Sequence, residues 1–386
     1  MAATSPSQLH HSANESENRA YLFGPLVDFL LLGGGSLVAL VAVRLLLGGG
    51  EYAVSTSLAA TIALSNFINH PHFAHSYQIF YSDFKAKIRS TNYPRELRLR
   101  YLAIGVYAPI LIALYLAWTV WAGMPRLLGL AANTMFFLVG WHYVKQGYGM
   151  AMVDAALKKR FYNDQEKKWL LLNAYATWIF SWITINYLLG SAPRKYFGLE
   201  YFTIPVPAPL LYLSAACTTV IAFKLIKTLS QRKRPFAWNG LIAYGTSIYA
   251  WLLVRDPIVL LWVPLFHSLQ YLAVVWRFQL NKSRTTKSNF LGHPVGFRTR
   301  IFAFAACGVV LGYVGFWLAP GWMNEAIPYD KDLFGPSLFF FIFWIFINVH
   351  HYLIDTVMWR KGNPDVARHI FGARTTQSQP CEPQPS

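Results

Sequence analysis

Acidic side chains are scarce in this chain, with 17 Asp and Glu in 386 residues, and charged residues of both signs amount to only 13%. A soluble domain carries about 25% charged residues, so a water-solvated fold is excluded at the outset. Cysteine is nearly absent: Cys217, Cys307 and Cys381 lie far apart, and no pair has metal-ligand or redox spacing. No G-x-G-x-x-G follows a strand-like run and no P-loop occurs, so neither nicotinamide, flavin nor nucleotide-driven chemistry has its fingerprint here. Residues 1–20 are polar and mixed, and are expected to form a tail and not a cleavable signal.

What the chain has in excess is apolar and aromatic surface: 55% hydrophobic and 17% aromatic residues. Apolar runs of about 17 to 25 residues, the length that crosses a bilayer, recur near 22–47, 56–80, 101–121, 128–150, 169–190, 207–228, 238–254, 257–277, 301–320 and 336–359. The expected fold is an all-α, polytopic transmembrane bundle of about ten spans over residues 21–360. It is flanked by the N-terminal tail and by a Pro/Gln-rich, disordered cytoplasmic tail over 361–386. Within spans, Pro71, Pro109 and Pro264 are tolerable because neighbouring groups satisfy the freed backbone.

The net charge of +17 would suit a nucleic-acid surface, but its placement points elsewhere. KAKIRSTNYPRELRLR follows span two, KKRFYNDQEKK span four, QRKRP span six, RFQLNKSRTTK span eight and WRKGNPDVAR span ten. The alternate loops are poorer in Lys and Arg or nearly neutral. This is the positive-inside pattern, and it puts both termini in the cytoplasm. Anionic lipids are the expected partners of these loops, nucleic acid is not, and a prokaryotic inner membrane is the expected location.

Seven of the eleven histidines fall in the spans or at their ends: His70, His72 and His75 in span two, His142 in span four, His267 in span eight, His350 and His351 in span ten. All these spans run in the same direction. At 1.5 Å per residue, His142, His267, His350 and His351 lie roughly 10–15 Å before the basic end, and the span-two cluster somewhat nearer it. His10 and His11 belong to the tail, and His293 and His369 to loop segments. Polar neighbours recur at helical spacing: Gln146 four after His142, Gln270 and Tyr271 three and four after His267, and Asp355 four after His351. His75 follows His72 by three, and a kink at Pro71 would turn His70 inward.

Ionisable groups at membrane depth are costly and face a cavity or a partner. Imidazole is the commonest metal ligand, and many histidines with few carboxylates suit iron, zinc or copper, not magnesium or calcium. The seven histidines form the expected ligand pool, with Asp355 as ligand or orienter. Asn69, Gln146, Gln270 and Asn348 would support the ligands. Tyr77, Tyr143, Tyr271 and Tyr352 would supply hydroxyls, and Tyr271, Tyr352 and Asp355 are the candidate catalytic groups. For any one of these histidines, interhelical hydrogen bonding is the plainer alternative.

Three chemistries fit such a site: dioxygen activation at one or, more naturally with seven imidazoles, two non-haem irons; electron transfer through haem b; or zinc-assisted hydrolysis or transfer on a lipid head group. A metal or proton transporter is the non-enzymatic alternative. The layout resembles the membrane histidine-box oxygenases, namely the lipid desaturases and hydroxylases and the bacterial carotenoid-cleaving Brp/Blh-type proteins. HxHxxH at 70–75 and HH at 350–351 differ from the HxxxH and HxxHH boxes of desaturases. The single His142 and His267 are closer to the dispersed histidines of the carotenoid-cleaving type. The resemblance implies a metal-dependent oxidoreductase, acting on a lipophilic small molecule in the cytoplasmic half of the bilayer, with reducing equivalents from a separate electron-donor protein.

Overall fold

The computed structural model describes residues 20–190, 195–200, 203–285, 289–290, 293–360 and 362–372. His10, His11, Cys381 and the Pro/Gln-rich stretch lie outside them. The described chain is almost wholly helical: α1 (Pro25–Leu47), α2 (Glu51–Ser65), α3 (Asn69–Tyr81), α4 (Phe84–Arg89), α5 (Arg95–Trp121), α6 (Pro125–Leu157), α7 (Asp164–Leu189), α8 (Ala208–Ser230), α9 (238–253), α10 (Pro257–Thr285), α11 (Phe297–Ala326), α12 (Lys331–Phe334), α13 (Leu338–Met358) and α14 (Pro364–His369). Two antiparallel hairpins of two-residue strands, β1 (Lys195–Tyr196) with β2 (Leu199–Glu200) and β3 (Asn289–Phe290) with β4 (His293–Pro294), interrupt the helices.

Among the described residues seven helices, α1, α5, α6, α8, α10, α11 and α13, are long and apolar enough to cross a membrane. The chain is a multi-pass α-helical membrane protein. The other three expected spans are also helical, but α9 is short, α7 is interrupted by polar residues such as Asn173 and Asn186, and span two is split. The expected continuous run over 56–80 ends at Ser65 and restarts at Asn69. Pro71 is the reason, since it has no N–H and its ring clashes with the carbonyl four residues back. Placing it in the first turn of a new helix, where no intrahelical acceptor is needed, removes both costs.

Burial sorts the helices into a centre and a rim. α10 is the most enclosed, with 72% of its apolar stretch buried, and α8 the least, with 11%. Val220, Phe223 and Ile226 on α8 and Leu45 and Leu46 on α1 are exposed, a surface that lipid tails solvate and water does not. Around the centre, α3 packs against α10, α11 and α13, and α6 packs against α7, α9 and α13. α11 reaches α3 through Gly308 and Gly312: a Cβ at Gly308 would lie 2.2 Å from Cε1 of His75, and one at Gly312 2.9 Å from the carbonyl carbon of His70. Only glycines allow that approach.

Four helices carry a π-turn, at Leu30–Gly34 in α1, Ala103–Tyr107 in α5, Thr246–Ala250 in α9 and Val314–Leu318 in α11. The wider turn frees carbonyls from the helical ladder, and in hydrocarbon these need other donors. Tyr81 Oη donates to Gly105 O and His350 Nε2 to Ile104 O, both at 2.8 Å. The Leu32 carbonyl takes the Gln270 amide. Within the stretch expected as a disordered tail, Pro364–His369 forms α14 on α10: Asn363 Oδ1 caps its start, and Asn281 donates to the His369 carbonyl at 2.7 Å.

Candidate metal centre

His72 on α3, His142 on α6, His267 on α10 and His351 on α13 converge from four helices, and one ring nitrogen from each lies within 4.8 Å of the others. All four are buried to within 4% of full enclosure. Among the described residues this is the one grouping of His, Cys, Asp or Glu with metal-holding geometry. The rings meet edge to face, His72 with His351 at 4.5 Å between centroids, His142 with His267 at 4.8 Å and His142 with His351 at 5.0 Å.

The far nitrogens show why the rings point inward. Ser268 Oγ lies 2.8 Å from both Asn69 Oδ1 and the Pro264 carbonyl, so its single proton is committed there, and it accepts from His72 Nδ1 at 3.2 Å. Ser76 donates to the Phe73 carbonyl at 2.6 Å and accepts from His351 Nδ1 at 2.8 Å. In both imidazoles Nδ1 therefore carries the proton and Nε2 keeps its lone pair, the tautomer a metal requires. Nε2 of His72, His142 and His351 and both nitrogens of His267 have no hydrogen-bond partner. Buried polar atoms left unpaired cost about 1–3 kcal/mol each. Four converging ring nitrogens without partners are the arrangement a cation satisfies. Nitrogens sharing one ion at about 2.1 Å lie about 3 to 4.2 Å apart, close to the spread seen here, so the residues fit a bound metal.

The surroundings are aromatic and polar by turns. Tyr352 stacks on His142 at 4.6 Å, and its hydroxyl donates to Asn348 Oδ1 at 2.6 Å. Tyr143 leans on His267 at 4.3 Å, Tyr271 meets His72 edge-on at 4.5 Å, and Phe73 covers His351 at 4.8 Å. Gln146 donates to the His267 carbonyl at 3.0 Å and to Gln270 Oε1 at 2.8 Å. Gln270 in turn donates to the Leu32 carbonyl and to Ser247 Oγ, so two π-turns support the helix that carries His267. Asp355 borders the cluster, with Oδ2 3.6 Å from His351 Nε2 and 3.7 Å from His142 Nε2.

The other three histidines of the expected ligand pool are placed elsewhere. His350 is engaged at both nitrogens, donating from Nε2 to Ile104 and accepting the Tyr77 hydroxyl at Nδ1, 2.9 Å away. His75 stacks on Phe304 at 4.2 Å and bonds Gln78 Oε1 at 2.7 Å. His70 stacks on Phe316 at 4.4 Å, with Trp317 and Trp344 at its edges. It faces α11, as His75 does.

Ser76 and Ser268 are the supporting residues that spacing alone did not single out. A signal for the serines exists: Ser76 follows His72 by one helical turn and Ser268 adjoins His267, small hydroxyls where a span would otherwise be apolar. Comparison with protein-family models, with curated proteins and with solved structures finds no match for this chain.

Proposed function

We propose that this protein is a metal-dependent oxidoreductase of the membrane interior, with a non-haem iron centre held by His72, His142, His267 and His351, acting on a lipophilic substrate. The observation that carries the reading is the set of unpartnered imidazole nitrogens, supplied by four separate helices and facing one point. Neutral imidazoles with a neighbouring carboxylate and no thiolate suit iron. Four nitrogens around one point leave no plane for a porphyrin, which argues against haem b. They also suit a single ion best. The two-iron version would draw on His70, His75 or His350, each of which is packed against other partners.

Bound iron supplies the redox chemistry toward dioxygen. The chain's own residues hold two of the imidazoles, His72 and His351, in the ligating tautomer and exclude water by close aromatic packing, with Phe73, Tyr143, Tyr271 and Tyr352 against the four rings. A fatty acyl chain or polyene is the substrate class that suits a centre so deep among apolar and aromatic side chains. The basic loops after α3, α6, α10 and α13 put the centre toward the cytoplasmic leaflet, where a separate donor protein would deliver electrons.

The test is elemental analysis and a visible spectrum of the purified, detergent-solubilised protein. About one iron per chain without a Soret band, together with dioxygen uptake driven by a lipophilic substrate, is the expected result. A Soret band, zinc as the bound metal, or no metal after gentle purification would overturn the reading.

A further inference from the structure

We infer that Asp355 is a fifth ligand of the ion held by the four histidines, and that Tyr271 and Trp359 are positioning residues that fix its carboxylate for that role. The inference rests on the metal-centre reading above. Asp355 lies one helical turn beyond His351 on α13, and Tyr271 one turn beyond His267 on α10, so two of the four helices that supply ligands also supply this pair.

The two carboxylate oxygens have different surroundings. Oδ1 accepts the Tyr271 hydroxyl at 2.9 Å, and the Tyr271 oxygen accepts the Trp359 indole N–H at 3.2 Å. The direction is unambiguous, because an indole nitrogen only donates; the tyrosine proton therefore goes to Asp355. This chain of donors holds one oxygen and fixes the plane of the carboxylate, leaving Oδ2 turned to the cluster.

At Oδ2 the structure places like against like. His351 carries its proton on Nδ1, where Ser76 accepts it, so a bare Nε2 lone pair faces a carboxylate oxygen at 3.6 Å. His142 Nε2, without a partner, faces the same oxygen at 3.7 Å. Neither separation is a hydrogen bond. Two electron-rich atoms opposed in a buried site repel unless a cation lies between them, and both distances fall in the range of about 3 to 4.2 Å expected for donors sharing one ion. A carboxylate also offsets the charge that four neutral imidazoles leave uncompensated in a dry interior.

The experiment is titration of the metal-free, full-length protein in detergent with Co²⁺, read by its visible d–d bands and by affinity against a competing chelator. Wild type is expected to give five-coordinate bands. Asp355→Asn should change those bands and weaken cobalt binding by more than about tenfold, while Asp355→Glu should keep the five-coordinate pattern. Tyr271→Phe should keep the bands and lose about tenfold in affinity. Combined with Asp355→Asn it should add no further loss, since it acts through the carboxylate. Cobalt bound by Asp355→Asn with unchanged bands and affinity would overturn the inference and leave the four-histidine centre standing. Failure of wild type to bind cobalt would remove both. Should Asp355→Asn not yield monodisperse protein, Tyr271→Phe decides: a tenfold loss supports the inference and an unchanged affinity overturns it.

Discussion

α3 carries two kinds of buried histidine within six residues. His72 turns toward α6, α10 and α13 and presents a bare nitrogen to three other imidazoles, whereas His70 and His75 turn toward α11 and stack on Phe316 and Phe304. His350 and His351 repeat the contrast on α13: the first spends both nitrogens on Tyr77 and Ile104, and the second spends one on Ser76 and keeps the other. All of these imidazoles are nearly fully enclosed. Burial therefore does not mark a ligand here. What marks it is a free ring nitrogen aimed at a shared point, and for His72 and His351 a serine hydroxyl behind the ring holds Nδ1–H and leaves Nε2 for that role.

The comparison can be broken most directly by exchanging the two classes. His267→Ala should lower metal affinity at least about 100-fold, more than loss of a supporting partner would, with helical content preserved. His70→Phe should leave metal stoichiometry unchanged and alter stability by less than about 1 kcal/mol, since replacing an unpaired buried polar group by an apolar one of similar shape is nearly neutral. Elemental analysis of monodisperse protein, paired with thermal unfolding in detergent, checks both. Metal loss in His70→Phe, or full metal content in His267→Ala, would dissolve the distinction.

A smaller effect is expected from the packing side. Gly308→Val drives a side chain into the His75 ring, and overpacking of this kind costs about 1–3 kcal/mol. The thermal midpoint should fall while the folded fraction still binds metal. If metal were lost in proportion to the shift, His75 would belong to the centre after all.

The smallest effect concerns the end of α3, where buried Lys87 donates to the Ile79 and Phe80 carbonyls at 2.7 and 3.1 Å. Burial pushes its ammonium down to about 8. The unfolded chain, with the ordinary lysine value, binds more protons between about pH 8 and 10.5. Stability should therefore rise with pH across that window, by roughly 1–3 kcal/mol at most, with the penalty fully present below pH 8. Lys87→Met should flatten the rise relative to wild type, and an identical pH profile for the two would remove this account of how α3 ends.

Much was legible in the linear pattern. Hydropathy and Lys/Arg placement identified a helical membrane protein, because a bilayer imposes length and apolarity on each span separately. Gln146, Gln270 and Asp355 were visible as one-turn neighbours; Asp355 lies beside His351, whereas Gln146 bonds Gln270 and the His267 carbonyl and Gln270 reaches Leu32 and Ser247. Less legible was the break at Ser65–Asn69, since a proline in a span can kink a helix or open a new one, and the choice depends on how the neighbours pack. The π-turns were not legible either: in α1 and α5 the released carbonyls meet donors, Gln270 and His350, that are distant along the chain.

Membrane environment and helical architecture were readable from the chain alone, because both depend on residues close along it. Which four of the seven histidines meet was settled by packing. That choice depends on which way each helix is turned and on what stands behind each ring: Gly308 and Gly312 draw α11 onto one side of α3, while Ser76 and Ser268 hold the rings on the other. Contacts between α3 and α13, separated by more than 250 residues, have no counterpart in local spacing.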